Sequence, residues 1–176
     1  MNMAITILLL LAGTIVLLFL IGIFTKKNHF VKQEIIVNAP LQKVFDYLKL
    51  LKNQDEWNKN EKGDPNKKEE YNGTDGTTGF IIAFRGNSNV GVGQKEIMNI
   101  IEGEKIETEM RFEKPMTFTA TLIIITEAVS DNKTKITLTH SGIMNYPKNI
   151  MIRMFEKMFA KQMEISLSNL KNVLEK

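Results

Sequence analysis

Few side chains in this sequence could do chemistry, and they are scattered. There are no cysteines. That removes thiolate nucleophiles, disulfides, Cys-based zinc or iron–sulfur sites and a lipidated N-terminal Cys. There are only two histidines, His29 and His140, too few for a His-rich metal site. His140 continues an apolar face with Ile136 and Leu138, while Lys135, Thr137 and Thr139 take the other face. If the apolar face is the concave side of a sheet, His140 points into a cavity. It is then an acid–base group, a hydrogen-bonding anchor or a satisfied structural histidine. Ser141 falls on the opposite face, which argues against a Ser–His dyad. His29 follows Lys26 and Lys27 and reads as a solvated linker residue.

Two glycine runs invite phosphate chemistry and fail its requirements. Gly73-Thr74-Asp75-Gly76-Thr77-Thr78-Gly79 lacks the Gly-Lys-Ser/Thr ending and leads into a strand, so it reads as a hairpin loop at a cavity rim. Gly91-Val92-Gly93 precedes no helix; glycines within a strand mark a bulge or a close backbone approach. The register of that strand is open. Either Gln94, Glu96, Met98 and Ile100 face inward, or Lys95, Ile97 and Asn99 do, and Glu96 is not assigned as a base. Asp55 and Glu56 are loop neighbours that nothing in the sequence brings to a substrate. No spacing calls for a metal or a cofactor. With 23 Lys+Arg against 20 Asp+Glu, the net charge of +3 is too small to imply nucleic acid.

The elements that must position these residues are legible in order. Met3 to Phe24 is uncharged and apolar all round, long enough at about 1.5 Å per residue to cover roughly 30 Å of hydrocarbon. No basic residue precedes it and no Ala-x-Ala site follows, so it reads as an uncleaved transmembrane anchor. Lys26, Lys27 and Lys32 follow the span, which places the rest of the chain in the cytoplasm. The division is residues 1–27 as anchor and flank, and 28–176 as one domain.

Within that domain Phe30 to Asn38 reads as a strand, ended by Ala39-Pro40. Leu41, Val44, Phe45, Leu48 and Leu51 at helical spacing predict a helix over 40–51. Residues 53–72 read as a polar loop around Trp57. Strands follow from Thr77 to Gly142, broken at Asn87-Ser88-Asn89, Glu102-Gly103-Glu104, Lys114-Pro115 and Ser130-Asp131-Asn132. Consecutive strands with short turns predict an antiparallel meander. Pro147 to Leu174 is then a long amphipathic helix. Its apolar arc holds Met151, Met154, Phe155, Met158 and Met163, with Gln162 and Ser166 in its middle and Asn169 nearby. Methionines there suit either a core or a cavity that accepts varied shapes. The buried Gln and Ser either bond to the sheet or face a wet or ligand-filled cavity. The fold class is α+β.

The stretch Val37-Asn38-Ala39-Pro40 followed by Val44-Phe45-Asp46-Tyr47-Leu48 resembles the opening of the START-like (SRPBCC) superfamily, the helix-grip folds grouped with polyketide cyclases. Asp64-Pro65-Asn66-Lys67-Lys68, the run from Tyr71 to Phe80 and Val90-Gly91-Val92-Gly93-Gln94 are similar to one polyketide-cyclase-like subgroup. The resemblance covers about residues 30–176. It implies some seven strands gripping the C-terminal helix around an apolar cavity, and a habit of binding ligands rather than a particular reaction. It also implies a cavity-closing place for Trp57, which could equally anchor its loop by packing. The expected ligand contacts are Trp57, Phe80, Phe84, His140, Met151, Met154, Phe155, Met158, Gln162 and Ser166. The expected function is binding of a hydrophobic small molecule or lipid near the bilayer, with no cofactor. A cyclase or hydratase using His140, or a protein-interaction module like the chaperone activators of related fold, are the alternatives.

Overall fold

The computed structural model describes residues 2–88 and 90–176, with only the backbone of Leu18. Asn89, part of an expected turn, lies outside the described residues. Helix α1 (Met3–Phe24) carries no charge, and its described side chains are mostly exposed, with Gly22 near its end buried. Among the described residues it is the one helix long and apolar enough to cross a membrane, with mean hydropathy 3.0.

Strand β1 (Asn28–Val37) begins two residues before the expected start, and this draws His29 into the sheet. Pro40 precedes helix α2 (Leu41–Leu48), where its missing N–H costs nothing. Val44, Phe45 and Leu48 turn the apolar face of that helix into the core. The segment expected as a loop is more structured than its polarity suggests. It contains helix α3 (Gln54–Trp57), single 3₁₀ turns on either side, and strand β2 (Lys68–Asn72). Lys68-Glu69-Glu70-Tyr71-Asn72 shows no apolar alternation because β2 is the last strand of the sheet and packs little beneath it.

The remaining strands are β3 (Ile81–Arg85), β4 (Val92–Ile101), β5 (Lys105–Lys114), β6 (Phe118–Ser130) and β7 (Lys133–Ile143). All pair antiparallel in the order β1-β7-β6-β5-β4-β3-β2. The six strands β2 to β7 are therefore neighbours in chain order, a meander, and β1 closes onto the far side of β7. Helix α4 (Ile152–Leu174), led by a 3₁₀ turn at 148–151, lies in the grip of this sheet. Met163, Leu167, Leu170 and Leu174 share one core with Phe45, Leu122, Ile124 and Ile136. This is an α+β helix-grip architecture.

The open register of β4 resolves to one of the two alternatives. Lys95 and Ile97 are buried on the concave side, and a bulge after Ile97 breaks the alternation before Asn99. Glu96 lies on the outer face beside Arg111, which also holds Glu109. At the start of β4, Gly91 has φ +81° and any Cβ there would overlap the carbonyl oxygen of Lys114. The register shift between Val92 and Gly93 is the bulge that these glycines permit.

Helix α1 meets the rest of the chain through a defined joint. Asn149 Nδ2 donates to the carbonyls of Gly22 at 2.7 Å and Thr25 at 2.8 Å, accepting groups that the helix end leaves unpaired. The Tyr146 ring rests against Gly22 and meets Phe19 edge-on. Lys26 Nζ donates to Glu156 at 2.7 Å, tying the flank to α4.

Candidate functional site

Two adjoining hollows lie between the sheet and α4. The inner one, about 110 Å³, reaches from Trp57 to His140, with Phe84, Leu122, Leu138 and Met163 along its walls. The outer one, about 680 Å³, is bounded by Met116, Ile143, Met144, Phe155 and Met158. That volume falls in the usual range for small-molecule sites. Phe112, Phe118 and Phe159 border both hollows. Phe112 and Phe118 stack with ring centres 4.6 Å apart, so an aromatic collar separates chamber from vestibule.

The histidines meet at this boundary. His29, expected in a solvated linker, is instead 2% exposed, and its Nε2 lies 3.0 Å from Nδ1 of His140. The sheet explains the encounter. Val31 pairs with His140 and His29 with Gly142, so the imidazoles are diagonal neighbours on one face. Gly142 makes room, since a Cβ there would stand 2.7 Å from the His29 ring. Phe159 covers His140 with ring centres 4.4 Å apart. Burial pushes His140 down to about 4, with the neighbouring His29 adding to it. Burial also lowers His29, against the pull of Glu156. Both rings are therefore neutral at pH 7 and share one hydrogen bond. His140 then has only Nε2 to offer the chamber, as donor or acceptor according to the tautomer of the pair. His29 Nδ1, in the vestibule wall, is buried without a partner.

A second polar cluster closes the other wall. Lys95, 1% exposed, donates to Gln54 Oε1 at 3.1 Å and to Glu61 Oε1 at 3.0 Å. Glu61 also accepts from Lys67, whose Nζ meets Asp55 at 2.6 Å and Glu69 at 2.7 Å. Burial would raise the Glu61 pKa, but the charges of Lys95 and Lys67 outweigh it and hold the carboxyl below its ordinary value. Asp55, Glu61 and Glu69 come close enough together to hold a metal ion, yet the Lys67 ammonium already sits among them. Sequence reasoning missed this network because its members are spread over 41 positions of chain.

Trp57 is buried at the inner end of the chamber. The polar residues in the α4 arc bond neither to the sheet nor to a void alone. Ser166 Oγ accepts from the backbone N–H of Lys59 at 2.9 Å and donates to Gln162 O at 2.8 Å. Gln162 Oε1 accepts from Asn60 at 3.3 Å, and Asn169 Nδ2 donates to the Trp57 carbonyl at 3.1 Å. They clasp the 57–60 loop onto the helix while Gln162 and Ser166 still border the chamber.

Of the other expected contacts, Phe84 borders the chamber, and Phe155 and Met158 border the vestibule. Phe80 does not; it packs with Leu51, Ile82 and Ile97 in a separate small core. Met151 and Met154 line neither hollow and face outward. The 73–79 loop also stays off both rims. Its Asp75 carboxylate accepts from the backbone N–H of Leu51 at 2.8 Å and Lys52 at 3.2 Å.

No protein-family model matches the chain. No curated protein matches it either. Solved structures do. Norcoclaurine synthase from Thalictrum flavum, solved with dopamine and hydroxybenzaldehyde, aligns with TM-score 0.64 and 11% identity over 86% of this chain and 88% of that one. The Aha1 dimer from Colwellia psychrerythraea gives TM-score 0.57 and 19% identity, over 83% and 96%. A structural-genomics protein from Chromobacterium violaceum gives 0.59 and 14%, over 84% and 98%. These are helix-grip, SRPBCC-type folds, and at such identities the likeness is one of fold.

Proposed function

We propose that the chain is a membrane-anchored, ligand-binding helix-grip domain. Residues 3–24 hold it to the bilayer, the 28–176 domain lies on the cytoplasmic side, and the cavity takes a hydrophobic small molecule or lipid. The observation that carries this reading is the two-part hollow, walled largely by aromatic and aliphatic side chains, with one neutral histidine pair at its waist and the polar groups of its other wall, Lys95 and Glu61, Ser166 and Gln162, bonded to one another or to the 59–60 loop. Such a site favours a mostly hydrocarbon or aromatic ligand with a single hydrogen-bonding group to meet His140 Nε2. Catalysis by His140 is the weaker reading. A ring that takes up a proton only near pH 4 is poorly matched to acid–base work near neutrality. Glu61, the carboxylate on the chamber wall, is committed to two lysines.

Trp57 provides the test, since it is the only tryptophan and borders the chamber. Titrating the full-length protein in nanodiscs with a brominated fatty acid should quench its fluorescence saturably, and an unbrominated analogue should reverse the effect. His140→Phe should weaken that binding by about tenfold, the worth of one hydrogen bond. Absence of saturable quenching would remove the ligand-binding reading.

A further inference from the structure

The vestibule opens at the foot of the anchor. The backbone N–H of its lining residue Met144 donates to the Lys27 carbonyl at 2.8 Å, and its lining residues Ile143 and Met158 flank in sequence Asn149, which grips the last turn of α1. Met158 is nine positions beyond Asn149, about 14 Å along the 3₁₀ turn and the helix. Around this rim the surface is apolar. Met151, at the end of the 3₁₀ turn, and Met154 and Met158 on α4 follow one another at spacings of three and four, 43%, 54% and 40% exposed, and the exposed Ile143 also borders the vestibule. The charge is segregated to the same place. Residues 25–32 and 143–158 hold six Lys or Arg and one acid; Lys26 pairs with Glu156 and Lys32 with Glu34, which leaves Lys27, Lys148, Arg153 and Lys157 without an acidic partner among the described residues. An apolar strip set among unbalanced basic side chains fits a surface that is apolar just beneath an anionic layer.

We propose that this foot docks onto an anionic phospholipid leaflet, so that the vestibule opens into the headgroup layer and its ligand enters from the bilayer without crossing water. The proposal rests on the reading of residues 3–24 as a membrane span. The orientation follows from the joint: Asn149 and Tyr146 hold the domain against the helix end, which presents the methionine strip at the depth where the span leaves the hydrocarbon.

The absence of cysteine permits a direct test by single-site labelling of the full chain in vesicles. Bimane on Met154→Cys reports the foot, on Asp131→Cys the far end of the sheet, and on Leu10→Cys the span. Quenching is read from phospholipids carrying a nitroxide at shallow or deep chain positions. With phosphatidylcholine containing about one-third phosphatidylglycerol, the Met154 label should be quenched by the shallow nitroxide and the Asp131 label should not. Lys148→Glu with Lys157→Glu should bring the Met154 label to the Asp131 level, leaving Leu10 quenched by the deep nitroxide. A Met154 label no more quenched than Asp131, with Leu10 quenched, would overturn the docking and keep the span. An unquenched Leu10 label would overturn both.

Discussion

Two imidazoles buried side by side make the fold sensitive to acid. An unfolded histidine titrates near 6.5, whereas His140 in the fold takes its proton only near pH 4. Between those values the unfolded chain binds more protons. Stability is therefore full above about pH 6.5 and falls as the pH drops toward 4, by up to about 1.4 kcal/mol per unit. Thermal melts across that range should show the slope, and His140→Leu should flatten most of it. Lys67 makes a different prediction. Lys67→Ala leaves Asp55, Glu61 and Glu69 facing one another and should cost about 3 kcal/mol. Millimolar calcium should restore part of that loss in the variant and leave the parent's melting temperature unchanged. At this scale the sequence was partly legible. The period-two pattern around Ile136 and Leu138 placed His140 on the inward face. His29 was not found, because its flanking lysines mask a strand start and its partner lies 111 positions away.

Elements with a strong apolar period were readable and those without one were not. The meander, α2 and α4 follow from spacing that the core then uses. Strand β2 and helix α3 escape because their residues are chosen for an edge and for an ion network, neither of which leaves a hydrophobic period. The α4 arc shows the same limit from the other side. Gln162 and Ser166 stood out as polar residues on a buried face, but their partner, the backbone of 59–60, was invisible without the fold. The Gly91 backbone is where the geometry of the meander is tightest. Gly91→Ala combines a left-handed φ with a collision at the Lys114 carbonyl, and should lower stability by about 1–3 kcal/mol in a denaturant titration. Gly13→Ala, in open surroundings on α1, should leave it unchanged within about 0.5 kcal/mol.

For the molecule as a whole, the joint at Asn149 decides how the domain rides on its helix. Asn149→Ala removes both donors to the helix end. It should speed rotational tumbling of a label at Asp131→Cys in nanodiscs while the domain's own unfolding free energy falls by no more than about 2 kcal/mol. The placement of β1 reaches further. This strand follows directly behind α1 in the chain, yet its ladder partner is β7, with paired residues 97 to 115 positions apart. Closing so long a loop comes late, after the local hairpins of the meander have formed. The chain therefore waits with one strand unpaired behind α1 while the rest of its sheet assembles. The histidine pair, which needs both strands, comes into being only when synthesis is nearly over. A chain truncated before β7 would leave the facing edges of β1 and β6 open. Completion of the sheet and completion of the cavity are thus one event, and it happens where the ligand is proposed to be.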